Sequence, residues 1–165
     1  MAELREDPRF YPLLVKLAGC LCNELDAAGL ETCFCGVVGG ASIDISRVSP
    51  ETGGIGWVRL AGISPVIDAT SGMSPSALCN THLSAQIEVG YADCYPINDD
   101  GSPLSLEEEL DAVRRHQAGV HAAFRAAFCC DWVDNRRRLT PGEWMPGGPE
   151  GGVLWSAWTL QVAVP

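Results

Sequence analysis

The chain has 165 residues, of which 47% are hydrophobic and 19% charged, with a formal net charge of −10. That length and balance fit one folded domain, residues 1–165, and exclude a disordered chain; no apolar run reaches the ~18 residues that span a bilayer. The acid excess argues against a sequence-independent nucleic-acid binder, which needs a basic face to displace phosphate counterions.

The chain opens on MAELREDPRF, which is charged and polar. No secretory leader is expected from it, and cytoplasmic synthesis without standard export is the expectation. A helix follows, with Asp7 as its cap, Pro8 at its first position and Gly29 at its end. Leu14, Leu17, Leu21, Leu25 and Ala28 recur at steps of three and four and form one apolar stripe.

Thr32–Val38 reads as a β-strand, broken by Gly39 and Gly40. Residues 39–54 are rich in Ser, Pro and Gly and read as a loop. Ile55–Ala61 is a second strand, and residues 62–80 form another loop with two Ser-Pro steps. Thr81–Tyr95 alternates most clearly. Leu83, Ala85, Ile87, Val89 and Tyr91 point one way, and Ser84, Gln86, Glu88 and Gly90 the other, as in a half-buried antiparallel strand.

The second helix opens on a capping box, Ser105 with Glu108, and Glu107, Glu108 and Glu109 suit the positive end of its dipole. Leu106, Leu110, Val113, Gln117, Val120, Phe124 and Phe128 form its apolar stripe. Residues 131–150 read as irregular chain leading to a last strand, Val153–Val164. The order α-β-β-β-α-β predicts an α+β fold: a mainly antiparallel four-stranded sheet with both helices packed on one face through their stripes. Loops longer than a compact domain needs usually serve function or a partner.

Eight cysteines are many for this length. No C-x-x-C occurs, so neither a zinc ribbon nor a thioredoxin-type site is indicated. Cys20-x-Cys22 in a helix turns its sulfurs about 200° apart, which opposes a shared metal. Buried free thiols are the first reading, and disulfides formed in an oxidising medium the second.

The chain lacks the phosphate-loop, nucleophile-elbow and H-E-x-x-H patterns. His116 and His121 lie about 140° apart on a helix and share no metal-facing side. A cysteine paired with His82 stays open as a thiol site. Asp93, Asp99 and Asp100 surround a turn and read as turn chemistry rather than a cation site. No catalytic residue, metal ligand or cofactor is assigned, and a non-enzyme is expected.

Arg136, Arg137 and Arg138 form the one basic cluster. They read as a solvated loop or as a dock for Glu107, Glu108 and Glu109 of a neighbouring copy through guanidinium–carboxylate pairs. Trp155 and Trp158 are three apart on a strand and face opposite sides. With Trp144 they are candidate contacts, because apolar bulk on both faces of a terminal strand exceeds what one core uses.

The segment EVGYADCYPINDDGSPLSLEEELDAVRRH, followed by WMPGGPEGG and an apolar strand containing Trp158, resembles the tail-terminator and head-to-tail connector proteins of long-tailed actinobacterial phages. The likeness covers the chain from about Leu13 onward. It implies a non-enzymatic virion protein, made in the host cytoplasm, that forms a homo-hexameric ring. Such a ring caps the tail tube protein, meets a neck or stopper protein, and lets DNA through without specific binding. A stopper, an adaptor or a minor tail protein is the alternative; a small cysteine-rich metal-binding protein or thiol enzyme is the more distant one. The eight cysteines are not part of what the resemblance implies.

Overall fold

The computed structural model describes residues 8–40, 42–66, 82–98, 100–135 and 138–164. The expected cap Asp7, Cys79, Asp99, Arg136, Arg137 and most of the loop 62–80 lie outside these residues.

The elements run α1 (Tyr11–Ala27), β1 (Thr32–Val38), a short 3-10 turn (Ile45–Arg47), β2 (Gly54–Pro65), β3 (Leu83–Cys94), α2 (Leu106–Phe128), β4 (Leu139–Glu150) and β5 (Val153–Val164). The fold is α+β, and its sheet has five strands in the order β1-β2-β3-β5-β4. β1 pairs parallel to β2, and every other pairing is antiparallel. The sheet is mainly antiparallel as expected, but two corrections apply: one pair is parallel, and there are five strands rather than four.

The first correction explains the loop 39–54. Thr32 pairs with Gly54, so the chain must travel back along β1 before β2 can start beside it. Parallel neighbours need a crossover of about a dozen residues, and this loop supplies it. Asp44 caps the short turn by accepting from Ser46 N at 3.1 Å. Val48, with Ile43 and Ile45, then packs against Ile55 and Trp57.

The second correction is β4, which occupies most of the stretch 131–150 read as irregular. It is an edge strand carrying Pro141, Pro146 and Pro149. Proline lacks the N–H that a central strand needs, but an edge strand has one unpaired side, where proline also discourages sticking to other chains.

Both helices lie on one face. α1 packs on β1 and β2, and α2 on β3 and β5. The main core joins Leu14, Leu17, Leu21 and Leu25 of α1 to Val58, Ile87, Val89, Tyr91, Leu160 and Val162 of the sheet. The opposite face carries a smaller core under the crossover, with Ile55, Trp57, Ala92, Val153 and Ala157. The alternation read in β3 holds: Ala85, Ile87, Val89 and Tyr91 sit in the main core, while Ala92 sits in the other.

α1 starts later than expected. Pro8 belongs to a preceding turn, Phe10 takes the cap position, and Pro12 sits in the first turn. Gly29 ends the helix at φ 71°, where Leu30 N donates to Leu25 O at 3.1 Å. The capping box of α2 is formed as read, with Ser105 N donating to Glu108 Oε2 at 2.9 Å.

The two C-x-C sulfurs diverge, as the helical geometry requires. Cys22 bonds to Cys35 of β1, and Cys20 bonds to Cys130 beyond α2. Four cysteines are thus paired instead of being buried free thiols. Among the described residues Cys33, Cys94 and Cys129 are free.

Candidate functional site

α2 turns to the sheet a face about 120° round from the centre of its sequence stripe. It buries Ala112, His116, Gly119, Ala122, Ala123, Ala126 and Ala127. Four large apolar residues of that stripe stand in solvent, from Phe124 at 38% exposed to Leu106 at 72%, with Leu110 and Val113 between, while Val120 and Phe128 are half-buried and Phe128 packs against the main core. The cause lies in the sheet beneath. Tyr91 is fully buried there, and a Cβ on Gly119 would run into its ring. Only a small-residue face fits that close to Tyr91.

The exposed band continues onto the sheet. Phe124 and Phe128 meet the Trp158 ring at centroid distances of 5.4 and 6.0 Å, and Trp158 meets Trp144 of β4 at 6.5 Å. Trp158 Nε1 donates to Val120 O at 3.3 Å, which orients the indole. Trp144 is 40% exposed at the sheet edge. Trp155 points to the other face and joins the smaller core, so the two tryptophans of β5 do part as read. The structure thus joins Trp144 and Trp158 to the α2 band and sends Trp155 elsewhere.

The charged candidates stand apart. Glu107, Glu108 and Glu109 are exposed in the first turn of α2. Glu108 lines an acid-walled cavity of about 490 Å³ with Glu31, Asp93 and Asp111, where Arg115 Nε and Nη1 donate to Asp93 at 3.4 Å and to Asp111 at 2.9 Å. Arg138 lies by Val164, in a hollow shared with Arg9 and Lys16. Asp93 is next to Cys94, which pairs with Val153, whereas Leu83 pairs with Val164. The two clusters are therefore a full strand length apart, on the order of 35 Å. One chain does not pair them.

The buried polar groups are structural. Glu88 accepts from Trp57 Nε1 at 2.9 Å and from Arg59 Nη2 at 2.7 Å, and is closed off from solvent. His116 Nε2 and Ser156 Oγ are 2.7 Å apart beneath α2. Ser156 is 2% exposed, so its hydroxyl meets no substrate. Burial lowers the His116 pKa, against a smaller opposing pull from Asp93. Cys94 is the reverse of an activated thiol, since burial and then Asp93 raise its pKa. His82 is exposed in a hollow formed with Val66, Arg138, Ala163 and Val164, which among the described residues holds no cysteine. Among the described residues no three His, Cys, Asp or Glu side chains converge as a metal site, and no helix is long and apolar enough to cross a membrane.

The α2 band was visible in the sequence as a stripe but not as a surface. The signal that could have separated the two is the second, small-residue stripe on the same helix, Ala112 to Ala127. Compared with known proteins, the chain matches no protein-family model and no curated protein sequence.

Proposed function

We propose that this chain is a non-enzymatic structural subunit of a phage virion, a tail terminator. It closes into a hexameric ring that caps the tail tube and joins it to the neck, and DNA passes through. The observation that carries this reading is the band of Leu106, Leu110, Val113, Phe124 and Trp144 left in solvent by a chain whose core is otherwise well filled. A contiguous exposed apolar band of this kind marks an assembly surface.

Charge supports the same reading. Six chains of −10 each carry a formal −60, a field that keeps DNA from adhering to the ring. The acid cluster around Glu107, Glu108 and Glu109 and the basic cluster around Arg138 stand at opposite ends of the sheet. Ends of opposite sign suit a part that joins two different neighbours, the tail tube at one end and a stopper or neck protein at the other. The protein works in the virion and is made in the host cytoplasm.

Electron-microscope images of the purified protein test the reading. Rings with six lobes and an open centre are expected, and uniform single-chain particles at micromolar concentration count against it. Co-purification separates the close alternative. A tail terminator brings down the tail tube protein, whereas a stopper or adaptor brings down only portal-side neck proteins.

A further inference from the structure

The acid-walled cavity lies at the Cys94 end of β3. Its floor is Asp93, with a side chain 11% exposed, and Tyr91, which is 1% exposed. Its mouth is Asp111, with a side chain 61% exposed, together with Glu31 and Glu108, both exposed. Arg115 is the one cation of the lining among the described residues, and it bonds Asp93 and Asp111. Four carboxylates thus surround one guanidinium. Glu108 uses Oε2 for Ser105, and the Glu31 carboxylate has no partner among the described residues.

Tyr91 points to a ligand as well. Its ring is closed in, but its hydroxyl has no hydrogen-bond partner among the described residues. A Cβ on Gly54 would touch Oη, so the hydroxyl end lies at the start of β2, beside the cavity. Burial and then Asp93 raise its pKa, with Arg115 pulling the other way, so a neutral hydroxyl stands among the charged groups. A buried hydroxyl left unpaired destabilises a fold, and one bonded to a ligand does not. The negative end of α1 opens here too. Gly29 and Leu30 line the cavity, and the last turn of α1 holds no basic residue. The positive end of α2 is already answered by Glu107, Glu108 and Glu109.

We propose that this cavity binds an organic cation, an alkylammonium or alkylguanidinium group, with Glu31, Glu108 and the Tyr91 hydroxyl as acceptors. Such groups carry donors only, which is what a wall of carboxylates lacks. Among the described residues no three acids converge as a metal site. Acids spread around about 490 Å³ suit a cation with a body, and that volume is in the range of small-ligand sites. Leu30, Pro50 and Pro96 supply apolar wall for an alkyl stem. One chain supplies every wall, so the inference does not rest on the ring. The group arrives either free or on an arginine or lysine of a partner protein.

Titration calorimetry of the purified protein tests it, with three probes: butylguanidinium, a capped glycine–arginine–glycine peptide and neutral butylurea. Both cations are expected to bind and butylurea is not. Glu31→Gln and Tyr91→Phe are each expected to weaken cation binding about tenfold, the loss of one hydrogen bond to a charge. Glu143→Gln removes the same charge from exposed β4 and is expected to bind as the wild type does. Without ligand, Tyr91→Phe is expected to melt no lower than the wild type, because the hydroxyl has no partner in the fold.

A peptide that binds more tightly than butylguanidinium assigns the group to a partner protein, and one that binds no better assigns it to a free cation. Neither cation binding at millimolar concentration overturns the inference, and so does butylurea binding as well as they do. Equal losses in Glu143→Gln and Glu31→Gln also overturn it, since they mark a general effect of charge. A Tyr91→Phe chain that melts lower overturns the role of the hydroxyl.

Discussion

α1 and α2 lie side by side on one sheet and solve the same packing problem in opposite ways. α1 puts Leu14, Leu17, Leu21 and Leu25 into the core, and the sheet makes room with Gly56, where a Cβ would meet Leu21 and Leu25. α2 puts alanine and glycine down, because the sheet there rises with Tyr91. Gly56 and Tyr91 are direct neighbours across β2 and β3, so the exchange of bulk happens within one register pair. The lesson is that an apolar stripe says a helix has something to cover. Which partner covers it is decided by the shape of the sheet beneath.

The largest expected effect comes from cutting the tie between the two helices. The Cys20–Cys130 bond spans 110 residues, and Cys22–Cys35 spans 13. Closing the long loop restricts the unfolded chain more, by about 4–5 kcal/mol against about 3. Replacing Cys20 and Cys130 with serine is therefore expected to lower the denaturant midpoint of the oxidised protein further than replacing Cys22 and Cys35.

Truncating the two stripes comes next. Leu21→Ala, in the α1 stripe, is expected to cost about 3 kcal/mol of stability through the cavity it leaves. Leu110→Ala, in the α2 stripe, is expected to stay within about 0.5 kcal/mol for the single chain. Equal losses in chemical unfolding would contradict the two-sided packing.

Gly119→Ala sharpens the α2 half. Helix propensity alone favours alanine by about 1 kcal/mol, yet the added methyl enters the Tyr91 ring. Overpacking is expected to win, giving a net loss of about 1–2 kcal/mol. A gain in melting temperature would mean that α2 stands further off the sheet.

The smallest effect is the acid response of the α2 contact. His116 is buried and neutral beside Ser156, Tyr91 and Asp93, with its folded pKa lowered from 6.5. The unfolded chain takes up the proton first, so stability is full above about pH 6.5 and falls as pH drops from there towards the lowered folded value. A melting temperature falling between pH 7.5 and 5.5, with a shallower fall in His116→Gln, is the expected result.

Much of the fold was legible. Thr32–Val38 and Val153–Val164 are strands with the bounds read from the sequence, and Ser105 with Glu108 marked the start of α2. β4 was not legible, because Pro141, Pro146, Gly147, Gly148 and Pro149 are loop residues everywhere except at a sheet edge. The parallel β1–β2 pair was hidden too, since only the travel of the crossover reveals it. Of the candidate contacts, Trp144 and Trp158 lie together in one aromatic cluster with Phe124 and Phe128. Trp155 served the second core instead.

The central claim is that the α2 band is covered by another copy. Sedimentation equilibrium of the wild-type protein at micromolar concentration tests it most directly. The account predicts about six times the 17.6 kDa chain mass, falling to a single chain in Val113→Glu. A wild-type protein that stays at 17.6 kDa with its band open to solvent would contradict it.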